Sequence, residues 1–387
     1  MTREPFGFRV GGARPAAGPL RVLVVGAGIG GLVTAHALAT EGHAVTLAEQ
    51  APGFEAVGAG IVLGPQALAI LAALGIPVTG LGEPLSAFAI RTADGRPLNA
   101  SLTEGHLAEL GPARAMTRPA LHERLAAALP DDVELRLGAR LEPTELQRSD
   151  SYDLIVAADG LHSSFRRLVA PRVRLRYSGQ TCWRGLAAGH WGQEAVEFWG
   201  DGVRFGVVQV APDVVYHYLV VSAAAGAPAP AWPDGFARLV AGFPAEARRF
   251  ITEGGGAPAL HHDLLEVERP VWGTDRIILL GDAAHAMTPN QGQGAAMAIE
   301  DAAALVLALR VDPARPLERY RALRHHRVRR MQLASRRLGE AGHWPAPLRA
   351  PRNWLLRAIP DRLTRAMLRS ELAPGFDLAR LVAGDAT

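Results

Sequence analysis

Lysine is missing from this chain, so all 41 Lys+Arg residues are arginine. Together with the abundant alanine, that reads as a composition bias, not a functional signal. Cysteine is nearly missing too. Cys182 stands alone, so no internal disulfide can form and no thiolate metal cluster can assemble; a reducing cytoplasm suits such a chain. The pairs His261-His262 and His325-His326 are adjacent. They lack the i, i+4 spacing that places two imidazoles on one helix face, so they read as surface histidines and no metal site is expected. A strong charge of one sign is lacking as well. The net charge of +3 is too small to argue for nucleic acid. The densest basic run, Arg319 to Gly339, has helical spacing and few aromatics and reads as a solvated helix face. Long apolar runs are absent. No stretch of roughly 20 apolar residues is free of charge, proline or repeated glycine, so no transmembrane span is expected.

What remains is the balance of a soluble globular protein, with 49% hydrophobic and 20% charged residues among 387. That length suffices for one large or two ordinary domains. Residues 1–20 are rich in Gly, Pro, Ala and Arg and are expected to be a flexible extension. The segment that follows, VLVVGAGIGGLVTAHALA, could pass for a signal-peptide core, but its glycine spacing fits a strand, a turn and a helix better.

Arg21 to Val25 reads as a buried strand, Leu32 to Thr40 as a helix and Ala44 to Ala48 as a second strand. Between the first two lies G-x-G-x-x-G, formed by Gly26, Gly28 and Gly31, with Gly30 inside it. The first glycine permits the tight turn. The second lets the backbone approach a pyrophosphate, and the third lets helix and strand pack closely. The helix start then offers unpaired N–H groups and a partial positive charge to phosphate. Glu49, at the end of the second strand, is placed to accept hydrogen bonds from ribose hydroxyls. In a chain with 42 glycines this spacing arises by chance about half a time. The strand, helix and acid around it supply the specificity. This unit alone does not separate NAD from FAD.

Two further loops follow buried strands. Asp153 to Ala158 ends in Asp159-Gly160, with Ser163 and Arg166 beyond. Ile277 to Leu280 runs into Gly281-Asp282, and a loop with Gly292 and Gly294 leads into a helix beginning near Ala295. The order GAGIGG, AADGLHSSFR, GDAAHAMTPNQGQGAAMAIEDA resembles the single-component FAD-dependent aromatic hydroxylases. These are the group A flavoprotein monooxygenases, such as p-hydroxybenzoate and salicylate hydroxylases. The match runs from about Arg21 to the C-terminal helices.

The resemblance implies an α/β fold. A doubly wound FAD-binding domain of the glutathione-reductase Rossmann type would carry an inserted antiparallel-sheet substrate domain. Residues 21–75, 105–170 and 271–345 would form the FAD domain, 76–104 and 171–270 the substrate domain, and 346–387 C-terminal helices. Asp282 would meet the ribityl hydroxyls, and the helix after Gly294 would point its positive end at the flavin ring. Arg118 would contact the cofactor near the pyrophosphate or ribityl. Gly60 to Val62 would pass beside the flavin, with Gly58 and Gly60 allowing close approach. Asp159 would order its turn, Arg166 would meet the pyrophosphate or incoming nicotinamide nucleotide, and His285 would be a packed residue, not a general base.

The resemblance also implies the reaction. NADH or NADPH would reduce FAD, and oxygen from a flavin hydroperoxide would hydroxylate or epoxidise a small aromatic or other electron-rich substrate. No second Rossmann unit is indicated for the nicotinamide. A reductase or oxidase on the same fold, and a binding protein that keeps the fold without flavin, are the alternatives. The protein would be a cytoplasmic monomer or homodimer.

Turn signals at Asp94-Gly95, Asp201-Gly202 and Pro212-Asp213 predict hairpins in the substrate sheet. Candidate pocket residues are Trp183, Arg204, Phe205, Tyr216, His217 and Tyr218. Tyr216 and Tyr218 share one face of their strand, and His217 takes the other. Arg204 with Tyr216 resembles the polar pair of flavin-dependent urate hydroxylases, while His217 would be the base for a phenolic proton. The sequence does not choose between them.

Overall fold

The computed structural model describes residues 18–54, 59–148, 150–253 and 260–383. Gly58 and residues 1–17 of the expected extension lie outside them. Five parallel strands form one sheet, in the order Ile277–Leu279, Leu154–Ala157, Arg21–Val25, Ala44–Ala48, Glu134–Arg136. The three central strands are continuous apolar runs because helices cover both faces. Helix Ile29–Thr40 is buried from Leu32 to Ala39 and packs on helix Gly294–Val311, buried from Ala296 to Leu309. A helix apolar all round has no solvent face to present, so both lie inside the domain.

Two acids, Glu300 and Asp301, sit within that buried helix. Helix Pro316–Gly342 answers them. Arg324 reaches Glu300 at 2.5 Å and Asp301 at 2.7 Å, and Arg327 reaches Glu300 at 2.5 Å, with all four side chains buried. The basic run is therefore not a wholly solvated face. Two of its arginines are interior, because buried carboxylates need buried partners.

A seven-stranded sheet follows the order Leu260–Val267, Leu175–Ala188, Val214–Ser222, Val203–Ala211, Glu194–Trp199, Ala87–Thr92, Pro97–Leu102. It is antiparallel except where Glu194–Trp199 pairs with Ala87–Thr92. The three expected hairpins are present. One face, here the back, packs Phe198, Phe205, Val207, Val215 and Leu219 against helices Asp234–Val240 and Ala245–Thr252. The opposite, front face meets a small sheet of Gly60–Leu63, Arg114–Thr117 and Glu83–Pro84.

Candidate active site

The three loops read from the sequence leave adjacent parallel strands at the same end of the sheet. Ala158 N–H donates to the Val25 carbonyl at 2.8 Å, and Leu280 N–H to the Ala157 carbonyl at 3.0 Å. Their contacts are close enough to require glycine. A Cβ on Gly31 would lie 1.8 Å from the Gly26 carbonyl oxygen, and one on Gly26, whose φ is +98°, would lie 2.4 Å from that of Ala158. By contrast, a Cβ on Gly28, Gly160, Gly292 or Gly294 would meet nothing within 4 Å. These four backbones edge a cradle that a ligand can approach closely. Gly28 caps helix Ile29–Thr40, and Gly294 is the first residue of helix Gly294–Val311, with Ala295 next. Two helix N-termini thus border the cradle.

Glu49 accepts N–H bonds from Ala27 at 2.7 Å and Ala51 at 2.9 Å. It orders the first loop and keeps lone pairs for a further donor. Asp282 is exposed at the start of its short helix. The Asp159 carboxylate accepts from Ser164 N–H at 2.8 Å and orders its turn; its other oxygen is buried without a protein partner among the described residues. Arg166 departs from expectation. It is buried, and its guanidinium donates to the carbonyls of Leu161, Asp282 and Ala283. It ties two loops together and does not face a ligand. His285 Nε2 lies 2.6 Å from Asp301 Oδ2, in the packed position expected.

Further links gather the remaining elements around the cradle. Arg118 is exposed at the start of helix Arg118–Ala127, where its N–H donates to the Ala59 carbonyl at 2.8 Å. On the same helix His122 Nε2 lies 2.6 Å from the Ala27 carbonyl oxygen. Gln66 donates to Gln293 at 2.7 Å, so the segment holding Gly60 and Val62 is tied to the loop of Gly292 and Gly294. Gly60 meets the substrate sheet directly. A Cβ there would lie 2.4 Å from the Tyr216 ring.

The register decides which sheet residues reach this front face. Tyr216 and Tyr218 do. Burial raises both phenol pKa values, so the two remain neutral hydrogen-bond donors. The Tyr218 hydroxyl donates to Glu197 at 2.6 Å. Arg204 also belongs to this face, but its guanidinium is consumed. It donates to Glu197 at 3.1 Å, Gln180 at 3.2 Å and His343 at 3.0 Å, and also to Asn290, while only 1% exposed. It braces the sheet against the flanking loop, with four of its five N–H donors already engaged by protein partners.

Trp183, Phe205 and His217 fall on the back. Trp183 stacks on His261, and Phe205 packs on Phe243. His217 is buried beside Phe205, and its Nδ1 has no partner among the described residues. Tyr216 and His217 therefore cannot serve one pocket, and a base role for His217 does not fit its position. Burial lowers its pKa to about 4. The folded form holds it neutral while the unfolded chain protonates near pH 6.5. Stability from this residue is thus complete above about pH 6.5 and declines toward pH 4 by at most about 1.4 kcal/mol per unit. Denaturant titrations of His217→Leu at pH 7 and pH 5 are expected to show a smaller acid loss than the wild type, with the pH profile of catalysis unchanged.

Arg184 was not among the sequence candidates. It stands opposite Tyr218 in register, on the front face. Its Nε–H donates to Cys182 Sγ at 3.4 Å, and no ion pair is formed among the described residues. Alternation could have found it, since the apolar Trp183 beside it belongs to the back.

Adjacent Rossmann-type loops with two helix N-termini, opposite an antiparallel sheet with tyrosines and a guanidinium that has no acidic partner among the described residues, fit a flavin-dinucleotide oxidoreductase fold and site. Known proteins agree. Residues 24–54 match the NAD(P)-binding Rossmann-like domain model, and residues 267–334 the FAD binding domain model. The chain is 34% identical over 376 residues to 2-heptyl-3-hydroxy-4(1H)-quinolone synthase of Pseudomonas aeruginosa, covering 90% of this chain and 96% of that protein. It is 32% identical over 380 residues to 3-amino-4-hydroxybenzoate 2-monooxygenase of Streptomyces cremeus, covering 92% and 96%. The structure of Klebsiella pneumoniae HpxO complexed with FAD and uric acid superposes with a TM-score of 0.81 at 26% identity, covering 91% and 97%. The chain belongs to the FAD-dependent aromatic monooxygenases.

Proposed function

We propose that this protein uses NAD(P)H and O2 to hydroxylate a ring carbon of an electron-rich aromatic or heteroaromatic compound bound at the front face of the substrate sheet, beside the contact of Gly60 with Tyr216. The observation that carries the reading is that three glycine loops leave adjacent parallel strands at one end of the sheet, while Gly60 packs on Tyr216 of the front face that also carries Arg184. In this reading the Gly26–Gly31 loop and the N-terminus at Gly28 hold the pyrophosphate. Glu49 accepts from the ribose, Asp282 accepts from the ribityl chain with Arg118 near it, and the N-terminus at Gly294 faces the ring. When bound, FAD supplies the hydride acceptor and the oxygen-transferring group. The chain's own residues do the rest. The packed aromatic sheet excludes water, Tyr216 donates a hydrogen bond, and Arg184 orients any anionic oxygen of the substrate.

Two substrate classes deserve trial. The similarity to the quinolone synthase favours a 4-quinolone with an apolar tail. The unpaired Arg184 guanidinium favours a ring acid such as an aminohydroxybenzoate. Purified holoenzyme should consume NAD(P)H faster in the presence of a true substrate and release a product with one added oxygen, read by absorbance and mass spectrometry. A saturated product would point to a reductase instead. A colourless protein that refuses FAD would point to a binding role.

A further inference from the structure

Two helices toward the C-terminus, Ala346–Arg357 and Asp361–Leu372, bury little apolar surface. In Ala346–Arg357 the buried residue is Arg352, and in Asp361–Leu372 no side chain is buried. Arginines serve as the inward struts. Arg352 donates to the carbonyls of Ala341 at 2.9 Å and Gly342 at 3.2 Å, and its guanidinium lies 5.0 Å over the Trp199 ring. Arg365 and Arg369 reach back to Glu109, and Arg349 to Asp201. Leu356 packs inward against Ile90, Leu98 and Trp199, but most of the large apolar side chains face outward. Trp354 is 71% exposed, Leu355 57%, Leu363 50%, Met367 49%, Leu348 49% and Trp344 39%. A surface helix ordinarily buries its apolar stripe, and clustered exposure of this kind marks an interaction surface.

Charge narrows the occupant. From Ala346 to Leu372 six arginines accompany two acids, Asp361 and Glu371. Arg352 is buried and Arg349, Arg365 and Arg369 are ion-paired, which leaves Arg357 and Arg362 as exposed cations with no acid partner among the described residues. A second copy seated on this face across a two-fold axis would bring the unpaired Arg357 and Arg362 toward their own copies, which is unfavourable. An anionic bilayer complements it. Tryptophan, leucine and methionine enter the headgroup–acyl boundary, and arginines such as Arg357 and Arg362 meet lipid phosphates. Both helices pack on the edge strand Pro97–Leu102 of the substrate sheet. We propose that Ala346–Leu372 docks this protein peripherally on an anionic membrane surface, where a tailed, lipid-dissolved substrate would be concentrated. Among the described residues no helix is long and apolar enough to cross a membrane, so the mode is surface attachment.

The test is flotation of full-length, FAD-loaded protein with phosphatidylcholine vesicles containing about one-third phosphatidylglycerol. Co-flotation is expected, weakening with added salt and with removal of the anionic lipid. The exposed pair Trp354→Glu with Leu355→Glu should lower the partition coefficient at least about tenfold, with FAD content unchanged. Arg357→Glu with Arg362→Glu should lower it comparably. Absence of wild-type flotation, or equal flotation of the variants, would overturn the proposal. So would a dimer in solution that the Trp354 and Leu355 changes dissolve, which would assign the face to a second copy. Binding that emerges only when residues 1–17 are removed would assign it to the chain's own first segment.

Discussion

Replacing Asp301 with alanine is expected to strip FAD from the protein and to lower its stability by about 3–5 kcal/mol. The carboxylate holds two systems at once. One oxygen accepts from the Gly281 N–H at 2.9 Å and faces His285 Nε2 at 2.6 Å. The other accepts from Arg324 Nε at 2.7 Å. Without it, Arg324 and Arg327 share Glu300 alone, and a buried cation is left uncompensated. The Gly281 N–H is orphaned as well, immediately before Asp282. The loop proposed to hold the ribityl chain thus loses its anchor from below. A fall in FAD affinity, measured by fluorescence on dilution of the holoenzyme, should accompany the loss in denaturant midpoint. Asp301→Asn keeps the shape without the charge and should lie between. Stability lost with FAD affinity intact would show that the anchor does not govern the loop.

The pH dependence of this anchor follows from the same geometry. Burial alone would raise the Asp301 carboxyl pKa. Attraction and hydrogen bonds from His285 and Arg324 outweigh it and hold the group below its ordinary 3.8. The unfolded chain then binds the proton more readily than the folded one. The contribution is therefore complete above about pH 4 and is lost only on further acidification.

The second large effect is expected at Arg184, because it separates the two substrate readings. A guanidinium with no carboxylate partner among the described residues meets an anionic oxygen through hydrogen bonds worth about 1.5–3 kcal/mol. For a ring acid, Arg184→Met should weaken binding about 10–100-fold. Arg184→Lys should recover part of it, since the charge returns without the planar fork. For a neutral tailed quinolone the same change should matter little. Titration of the holoenzyme followed by the absorbance of bound flavin reads both without turnover. Ring-acid affinity indifferent to Arg184 would show that its guanidinium does not meet the substrate. If neither compound class bound the wild type, the substrate reading itself would fall.

The three glycine loops proposed to hold the cofactor were legible in the chain, and the sheet opposite them only in part. Each loop is a local object. An apolar strand, a glycine turn and a helix start occupy some fifteen consecutive residues, and close packing at Gly26 and Gly31 leaves glycine as the one residue that fits. The hairpins were legible for the same reason, since Asp201-Gly202 and its neighbours act within a few residues. On the substrate sheet, alternation separated Tyr216 and Tyr218 from His217, yet it did not say which set faces the cradle. It did not show that Arg204 is engaged by Glu197 across its own hairpin and by Gln180, Asn290 and His343 from segments farther along the chain. Arg324 and Arg327 look like part of a solvated stripe until helix Gly294–Val311 brings Glu300 and Asp301 against them.

By itself, then, the sequence determined the Rossmann-type frame, the three glycine loops at one end of its sheet and the hairpin sheet, because near-neighbour sterics and turn chemistry dictate them. Tertiary structure alone decided which arginine lacks an acidic partner among the described residues, which histidine is buried in the back and which helices turn much of their apolar surface outward. Those outcomes depend on partners from remote segments, and a side chain's charge carries no record of whether such a partner will arrive.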